Sequence, residues 1–473
     1  MLKILIEKDL RDIIYSTKFA ITFGACAVLL LLSFYVGIRN YQESLREYEA
    51  ALTADATNIS SLTDWRQVQH KVFRKPQPLQ VLVNGVTNDV GRTTEMRAQG
   101  ELSLINSRFS VDPLFAVFRF LDLNFVVIIV FSLFAILFGY DAINGEKEMG
   151  TLKLVFANKV SRADFILSKL LGSFLALSVP LLVPLLIGCL MLLGFGVPLS
   201  EQEWIRLAFV MVGGMLCFGV FLTLSIMISA LVMRSSVSFL LSLVVWIFSV
   251  LIVPKGSVLL AAQIVDVPSM DAIEIQKRKF TTQQMDERMK KSQQFFSTAS
   301  TADTGFVAKF GAFQDSMGKA AEKERELFFG RLNEDWRNKK DWQERWAFGF
   351  SRVSPTAIFQ MAAMNLAGTD VAMKLRYLKE LDRYQDSYAE FTTKKTGSFA
   401  DMIRVVIRRS GDPIREEEKQ QPLNPSEIPE FVEQPRSLGE TLSVSFLDLG
   451  LLVVLNALFF AGAFVSFLKF DLR

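Results

Sequence analysis

At 473 residues, 51% of them hydrophobic and 41 of them Phe, with a positive mean hydropathy, the chain is too apolar for a water-soluble enzyme of its length. Its formal net charge is only +3, and no long basic block offers a footing for nucleic acid. The three cysteines (Cys26, Cys189, Cys217) all lie in apolar runs and the only histidine, His70, lies among polar residues, which excludes a disulfide framework, thiol metal sites in the polar segments and His-based zinc or triad chemistry.

His70 reads as a plain surface residue. An amphipathic segment, MLKILIEKDLRDIIYSTK, occupies residues 1–18. Six apolar runs near the length of about 20 residues that crosses a hydrocarbon core follow at 19–38, 121–140, 170–194, 205–232, 237–254 and 446–468. The first runs on well past Cys26, so it is read as an uncleaved span, with the mature chain starting at Met1, and not as a lipoprotein signal ending at FGAC. The third contains Pro180 and Pro184, and the fourth and fifth, joined by MRSS, form a tight hairpin.

Two long polar segments interrupt the spans. In 40–119 the run PQPLQVLVNG, flanked by proline and closed by Asn84-Gly85, predicts a small strand-bearing element. Segment 255–444 is mostly helical. Within it, SPTAIFQMAAMNLAG has Ser354 as a cap, Pro355 at the first helical position and Gly368 as a stop; it is expected to pack in the domain. In VAMKLRYLKELDRYQDSYAEF, Val371, Leu375, Leu378, Leu381, Tyr384, Tyr388 and Phe391 recur at helical spacing and predict one buried face. The proline-rich stretch 411–437 reads as a linker back to the last span.

Orientation follows from Lys and Arg in the short segments. Lys3, Lys8, Arg11 and Lys18, then Lys147, Lys153, Lys159, Arg162 and Lys169, then Arg234, Lys469 and Arg473 fall on one side. Both termini and loop 141–169 are therefore expected in the cytoplasm, with 40–119 and 255–444 outside; Arg39 and Lys255 are exceptions beside long loops. The fold class expected is an α-helical integral membrane protein: six transmembrane helices, a large mostly helical extracytoplasmic domain, and a smaller mixed extracytoplasmic segment.

Loop 141–169 contains NGEKEMGTLKLVFANKVSRADFILSK. Breaks at Asn144-Gly145 and Gly150-Thr151 bracket two acids, Glu146 and Glu148, and Ser161 caps a helix that leads into the third span. From residues alone, a solvated loop with snorkelling bases and a short helix held along the membrane fit equally well. The elements E-K-E-M-G-T-L (146–152), V-S-R (160–162) and Lys169, the six-span plan, the N-terminal segment and SPTAIFQMAAMNLAGTD together resemble the type-2 ABC transporter permeases, in a subgroup with a large extracytoplasmic insertion between the fifth and sixth spans. Members often carry Pro before V-S-R, where this chain has Lys159.

The resemblance implies that the loop is a coupling helix seated in an ATP-binding cassette subunit, with Glu146, Glu148, Gly150, Thr151 and Arg162 in the contact. It implies a second permease subunit, homo- or heterodimeric, and ATP with Mg bound by the partner and no cofactor in this chain. The chain itself has no G-x-x-x-x-G-K-[ST], H-E-x-x-H or G-x-S-x-G, so it is expected to be a non-catalytic subunit. Asp122, Asp141 and Asp448 sit near span ends, and the scarcity of mid-span carboxylates argues against an ion-coupled carrier. Gly213, Gly214, Gly219, Ser225 and Ser229 read as packing residues.

Three functions stay open: a permease moving an apolar or amphipathic substrate, a mechanotransmission or assembly machine acting on an extracytoplasmic protein, and an ATP-independent sensor or scaffold. The expected location is a bacterial cytoplasmic membrane, in contact with the lipid bilayer and with no nucleic acid.

Overall fold

A computed structural model describes residues 2–87, 93–96, 104–105, 122–157, 160–298, 306–396, 422–434 and 436–469. Lys159, residues 106–121 and most of the first half of linker 411–437 lie outside these ranges. Among the described residues, six helices are long and apolar enough to cross a membrane: Thr17–Ser60, Leu123–Glu148, Arg162–Gly194, Glu201–Leu231, Ser235–Ile264 and Leu438–Leu468. The fold is that of an α-helical integral membrane protein, and the strands among the described residues form one small sheet.

The chain divides into two units, Met1–Val250 with Pro355–Arg473, and Leu251–Ser354. The first begins with α1 (Leu2–Ile14), and Ser16 then caps α2 (Thr17–Ser60) by accepting from the Phe19 amide. At about 1.5 Å per residue this 44-residue helix is about 66 Å long, roughly twice a hydrocarbon core. The second span, α3 (123–139), is capped by Asp122 and contains a π-helical turn at Val126–Phe131. Two short helices, α4 (Asn144–Glu148) and α5 (Thr151–Ala157), make the loop.

Ser161 caps α6 (Arg162–Gly194) as its sequence predicts, and Pro180 and Pro184 sit inside that helix. A reciprocal Ser200/Glu203 capping box starts α7 (Glu201–Leu231), and only 232–234 separate it from α8 (Ser235–Ile264). The large apolar core gathers all these spans, α11 (Pro355–Ala367) and the last span, α13 (Leu438–Leu468). An added Cβ at Gly213 or Gly219 would meet Leu449 at 3.0 Å or Asn456 at 2.8 Å, which fits their reading as packing residues. Helix α11 is expected to pack in the outer helical domain and is instead buried between the spans α7 and α13, because its apolar residues Ile358, Phe359 and Leu366 join the span core; Gly368 ends it with φ +74°.

A second core in this unit joins Val72, Met96, Met373, Tyr377, Leu381, Tyr384 and Tyr388, with Ile428 and Phe431 against it. Strands β1 (Lys71–Phe73), β2 (Thr93–Glu95) and β3 (Leu104–Ile105) pair antiparallel in that order. Three readings of this region are corrected. PQPLQVLVNG is not a strand: Pro76 and Pro78 remove ladder donors, and Pro78–Val81 forms a buried helical turn beside Gly37 of α2. The predicted face of α12 (Ala372–Thr396) holds from Leu378 to Phe391 but is rotated at its N-terminal end, with Met373 and Tyr377 buried and Leu375 exposed, because the Tyr377 ring packs edge-on against Phe431 and lies beside Arg74.

His70, finally, is no plain surface residue; its ring lies 3.1 Å from Asp55 Oδ2 and 3.0 Å from the Tyr384 hydroxyl, which itself donates to the Pro429 carbonyl at 2.7 Å. That network ties α2 and α12 to the returning segment 422–434, which feeds α13.

In the second unit, α9 (Met270–Thr298) and α10 (Phe306–Ser351) form an antiparallel hairpin, with Phe280 stacked on Phe328 and Phe295 on Phe313 at centroid distances of 4.2 and 4.6 Å. The end of α10 packs against residues 253–264.

Candidate functional site

The EKEMG loop is built around a buried ion cluster. On α1 the apolar face runs through Ile6, Leu10 and Ile13, and Asp9 lies on that same face as the helix's one buried residue. Helix α1 can lie this close to α6 because Gly172 has no side chain: a Cβ there would meet Asp9 Cβ at 2.9 Å. Lys169, one turn earlier on α6, donates to Asp9 Oδ1 at 2.9 Å and to Glu146 Oε1 at 2.6 Å. Lys8 stands 3.6 Å from the same Glu146 oxygen. The cluster is formally neutral: Lys169, Asp9 and Glu146 are shielded from water, and the half-exposed Lys8 supplies the fourth charge at its edge. The second oxygens, Asp9 Oδ2 and Glu146 Oε2, are buried and find no donor among the described residues.

The rest of the motif is bonded to the ends of the spans. Ser229 Oγ accepts from the amides of Ile143 and Asn144 at 3.0 and 3.1 Å, and Lys147 Nζ donates to the Ala230 carbonyl at 2.7 Å, so α4 is fixed to the end of α7. Glu148 accepts from the Ser235 amide at 2.9 Å and its hydroxyl at 2.7 Å, which caps α8. Arg162 Nη1 donates to the Leu468 carbonyl at 2.6 Å, and Phe165 stacks on Phe467, so the end of α13 is held as well. Lys18 of α2 pairs with Asp141 at 2.8 Å. Polar and charged side chains at helix termini thus join the loop and the start of α6 to the ends of the other spans.

The structure places the five residues singled out by the sequence as follows. Glu146 is buried in the ion cluster, while Glu148 lies at the surface with its carboxylate on Ser235. Gly150 has φ +72°, a conformation that side-chain-bearing residues rarely adopt, and makes the sharp break between α4 and α5. Thr151 Oγ1 donates to the Glu146 carbonyl at 3.4 Å, which brings these two together across that break. Arg162 is engaged apart from them, at the end of α13.

Sequence reasoning missed Asp9, Lys8, Ser235 and the anchoring role of Ser229; an acid in the middle of an apolar helical face was the signal for Asp9. It also missed Met149, which with Leu154 forms the outward apex, 72% and 68% exposed. Leu152 and Phe156 point the other way, Leu152 into the core and Phe156 against Phe165 and Phe467.

The geometry is that of a partly apolar knob bonded to and packed on the ends of the spans. Among the described residues no cluster of His, Cys, Asp and Glu is arranged to hold a metal ion. No curated protein matches the sequence. A family model described as ABC-2 family transporter protein matches residues 3–472, nearly the whole chain. The chain therefore belongs to the ABC-2 transporter family, as a multi-pass permease subunit of an ABC transporter whose family implies an ATP-binding cassette partner.

Proposed function

We propose that this permease couples ATP hydrolysis on the separate cassette subunit, which holds ATP and Mg, to movement of its spans through the α4–α5 knob. The observation that carries the reading is the wiring: the loop after α3 is hydrogen-bonded or ion-paired to α1, α2, α6, α7 and α8, and Phe156 packs on Phe467 of α13, which Arg162 at the start of α6 also holds. A push on Met149 and Leu154 is passed to these helices through the bonds made by α4 and the packing of α5. In this reading Glu146 acts inside the chain, holding the knob to α1 and α6, while Met149, Gly150, Lys153 and Leu154 meet the partner's groove. Both termini and the knob lie in the cytoplasm of a bacterial inner membrane, and two permease subunits, identical or different, pair with two cassettes. The cargo is apolar or amphipathic, in keeping with an almost uncharged span interior.

A second output, mechanical work on an extracytoplasmic protein, draws on α2, whose single 44-residue helix runs from the knob end into the core that contains His70 and Tyr384. Movement of that span therefore carries this second core with it. The test is co-purification in mild detergent: tagged chain should bring down a nucleotide-binding subunit with ATPase activity, and Met149→Asp with Leu154→Asp should lose it while the chain stays monodisperse. Retention of the subunit by the double variant would remove the knob from the contact, and its absence from the parent eluate would remove the coupling reading.

A further inference from the structure

Residues 251–264, the last part of α8, are arranged inside out for a helix in water. Ser257 and Ala261 are turned inward, 3% and 0% exposed, against the end of α10. Val258, Leu259, Leu260 and Ile264 are turned outward, each more than half exposed. Lys255, Ala262 and Gln263 are exposed on it as well, but a face that hides Ser257 and Ala261 and presents four large apolar side chains suits hydrocarbon better than water. The same helix is already a candidate span, and at 30 residues it is about 45 Å long against a core of about 30 Å, so its apolar surface continues past the length one crossing needs.

The partner element in this unit carries the marks of a membrane boundary. Trp336 Nε1 donates to the Pro268 carbonyl and Gln343 Nε2 to the Val265 carbonyl, both at 3.0 Å, which fixes the end of α10 along residues 251–268. On that stretch Trp342 and Trp346 are 57% and 41% exposed, interleaved with Lys339, Lys340 and Arg345 and with the acids Asp341 and Glu344, the latter 3.9 Å from Lys340, and Lys340 lies over the Trp336 ring at 5.1 Å. Indoles beside bases suit the depth where acyl chains meet headgroups, the rings in the apolar layer and the cations toward phosphate. Farther along α10 in the N-terminal direction, residues 322–326 read EKERE, a wet composition.

We propose that residues 251–264 and 336–353 form one lipid-embedded foot, seated in the outer-leaflet interface of the bilayer with Trp342 and Trp346 at headgroup level, so that α9 and the rest of α10 stand on it in water. The occupant of this surface is phospholipid, and the argument for it is continuity with a span together with the Trp/Lys/Arg belt. A foot of this kind would give the hairpin a fixed height above the membrane.

The test uses the full chain in nanodiscs of phosphatidylcholine with phosphatidylglycerol, where both membrane faces are open to reagent. Leu259→Cys and Met289→Cys, the latter on α9 and 58% exposed, are labelled with a membrane-impermeant maleimide, with the parent carrying Cys26, Cys189 and Cys217 as baseline. The expected result is labelling at residue 259 slower by about tenfold or more than at residue 289, since the thiolate and reagent do not meet in hydrocarbon. Any smaller ratio, as a water-facing protein interface would give, overturns the proposal. If Leu259→Cys does not fold, tryptophan quenching decides. Brominated phosphatidylcholine should quench a component of the emission that disappears in Trp342→Phe with Trp346→Phe; quenching unchanged in that variant overturns the foot.

Discussion

Replacing Lys169 by Met should free α1 from the bundle. The change removes the one cation that touches both Asp9 and Glu146 and leaves two buried carboxylates facing each other. Breaking a buried pair from one side costs about 3–5 kcal/mol, and Lys8, 3.6 Å from Glu146, places this case at the lower end. About 3 kcal/mol shifts the ratio of docked to undocked α1 by on the order of a hundredfold. Removing the three buried charges together is a different perturbation: Asp9→Asn, Glu146→Gln and Lys169→Met in one chain leaves only the half-exposed Lys8 charged, and apolar replacement of buried ion triads is often close to neutral. The assay is limited proteolysis of the reconstituted chain in the α1–α2 joint at Tyr15–Ser16, followed with a fluorophore on α1. The single variant should be cut far faster than the parent, Lys169→Arg should recover most of the protection, and the triple variant should lie between. A Lys169→Met chain as protected as the parent, or a triple variant worse than the single one, would refute the clamp.

Ser229→Ala removes the acceptor shared by two buried amides, costs about 1–3 kcal/mol, and should raise hydrogen exchange at Ile143 and Asn144 ahead of the rest of the loop. Tyr384→Phe cuts both the His70 and Pro429 bonds and should expose segment 422–434 to protease while leaving the span helicity unchanged by circular dichroism. Burial holds the Glu433 carboxyl above its ordinary value of 4.5, partly offset by Arg74. Because the folded form is the better proton binder, the stabilisation of this segment by Glu433 is complete below that value and is lost as pH rises through the raised one. Pulse proteolysis should find the segment less protected at pH 7 than near pH 4.5, with the difference reduced in Glu433→Gln.

What the sequence made legible follows from period and composition. Runs of apolar residues announce spans, because a bilayer leaves the backbone no partner but itself; Ser161, Ser354 with Pro355, and Gly368 announce helix ends, because those residues do their work locally. The loop was recognisable as a unit for the same reason. Its wiring was not, since Asp9, Glu146 and Lys169 are far apart in sequence and only the packing of α1 on Gly172 brings them into one cluster. His70 was misread because polar neighbours in sequence say nothing about Tyr384 more than three hundred positions away. The rotation of α12 turned on Tyr377, whose ring outweighs Leu375 once Phe431 is beside it.

The central claim, that the knob passes the partner's motion to the spans, is tested most directly by a distance between spin labels at Leu52→Cys on α2 and Val444→Cys on α13, both at exposed positions of the first unit. In the full complex the distance should change between the nucleotide-free state and ATP turnover with Mg, and the Lys169→Met chain should lose that change while its cassette partner still hydrolyses ATP. The same distance change in the variant as in the parent would contradict the account.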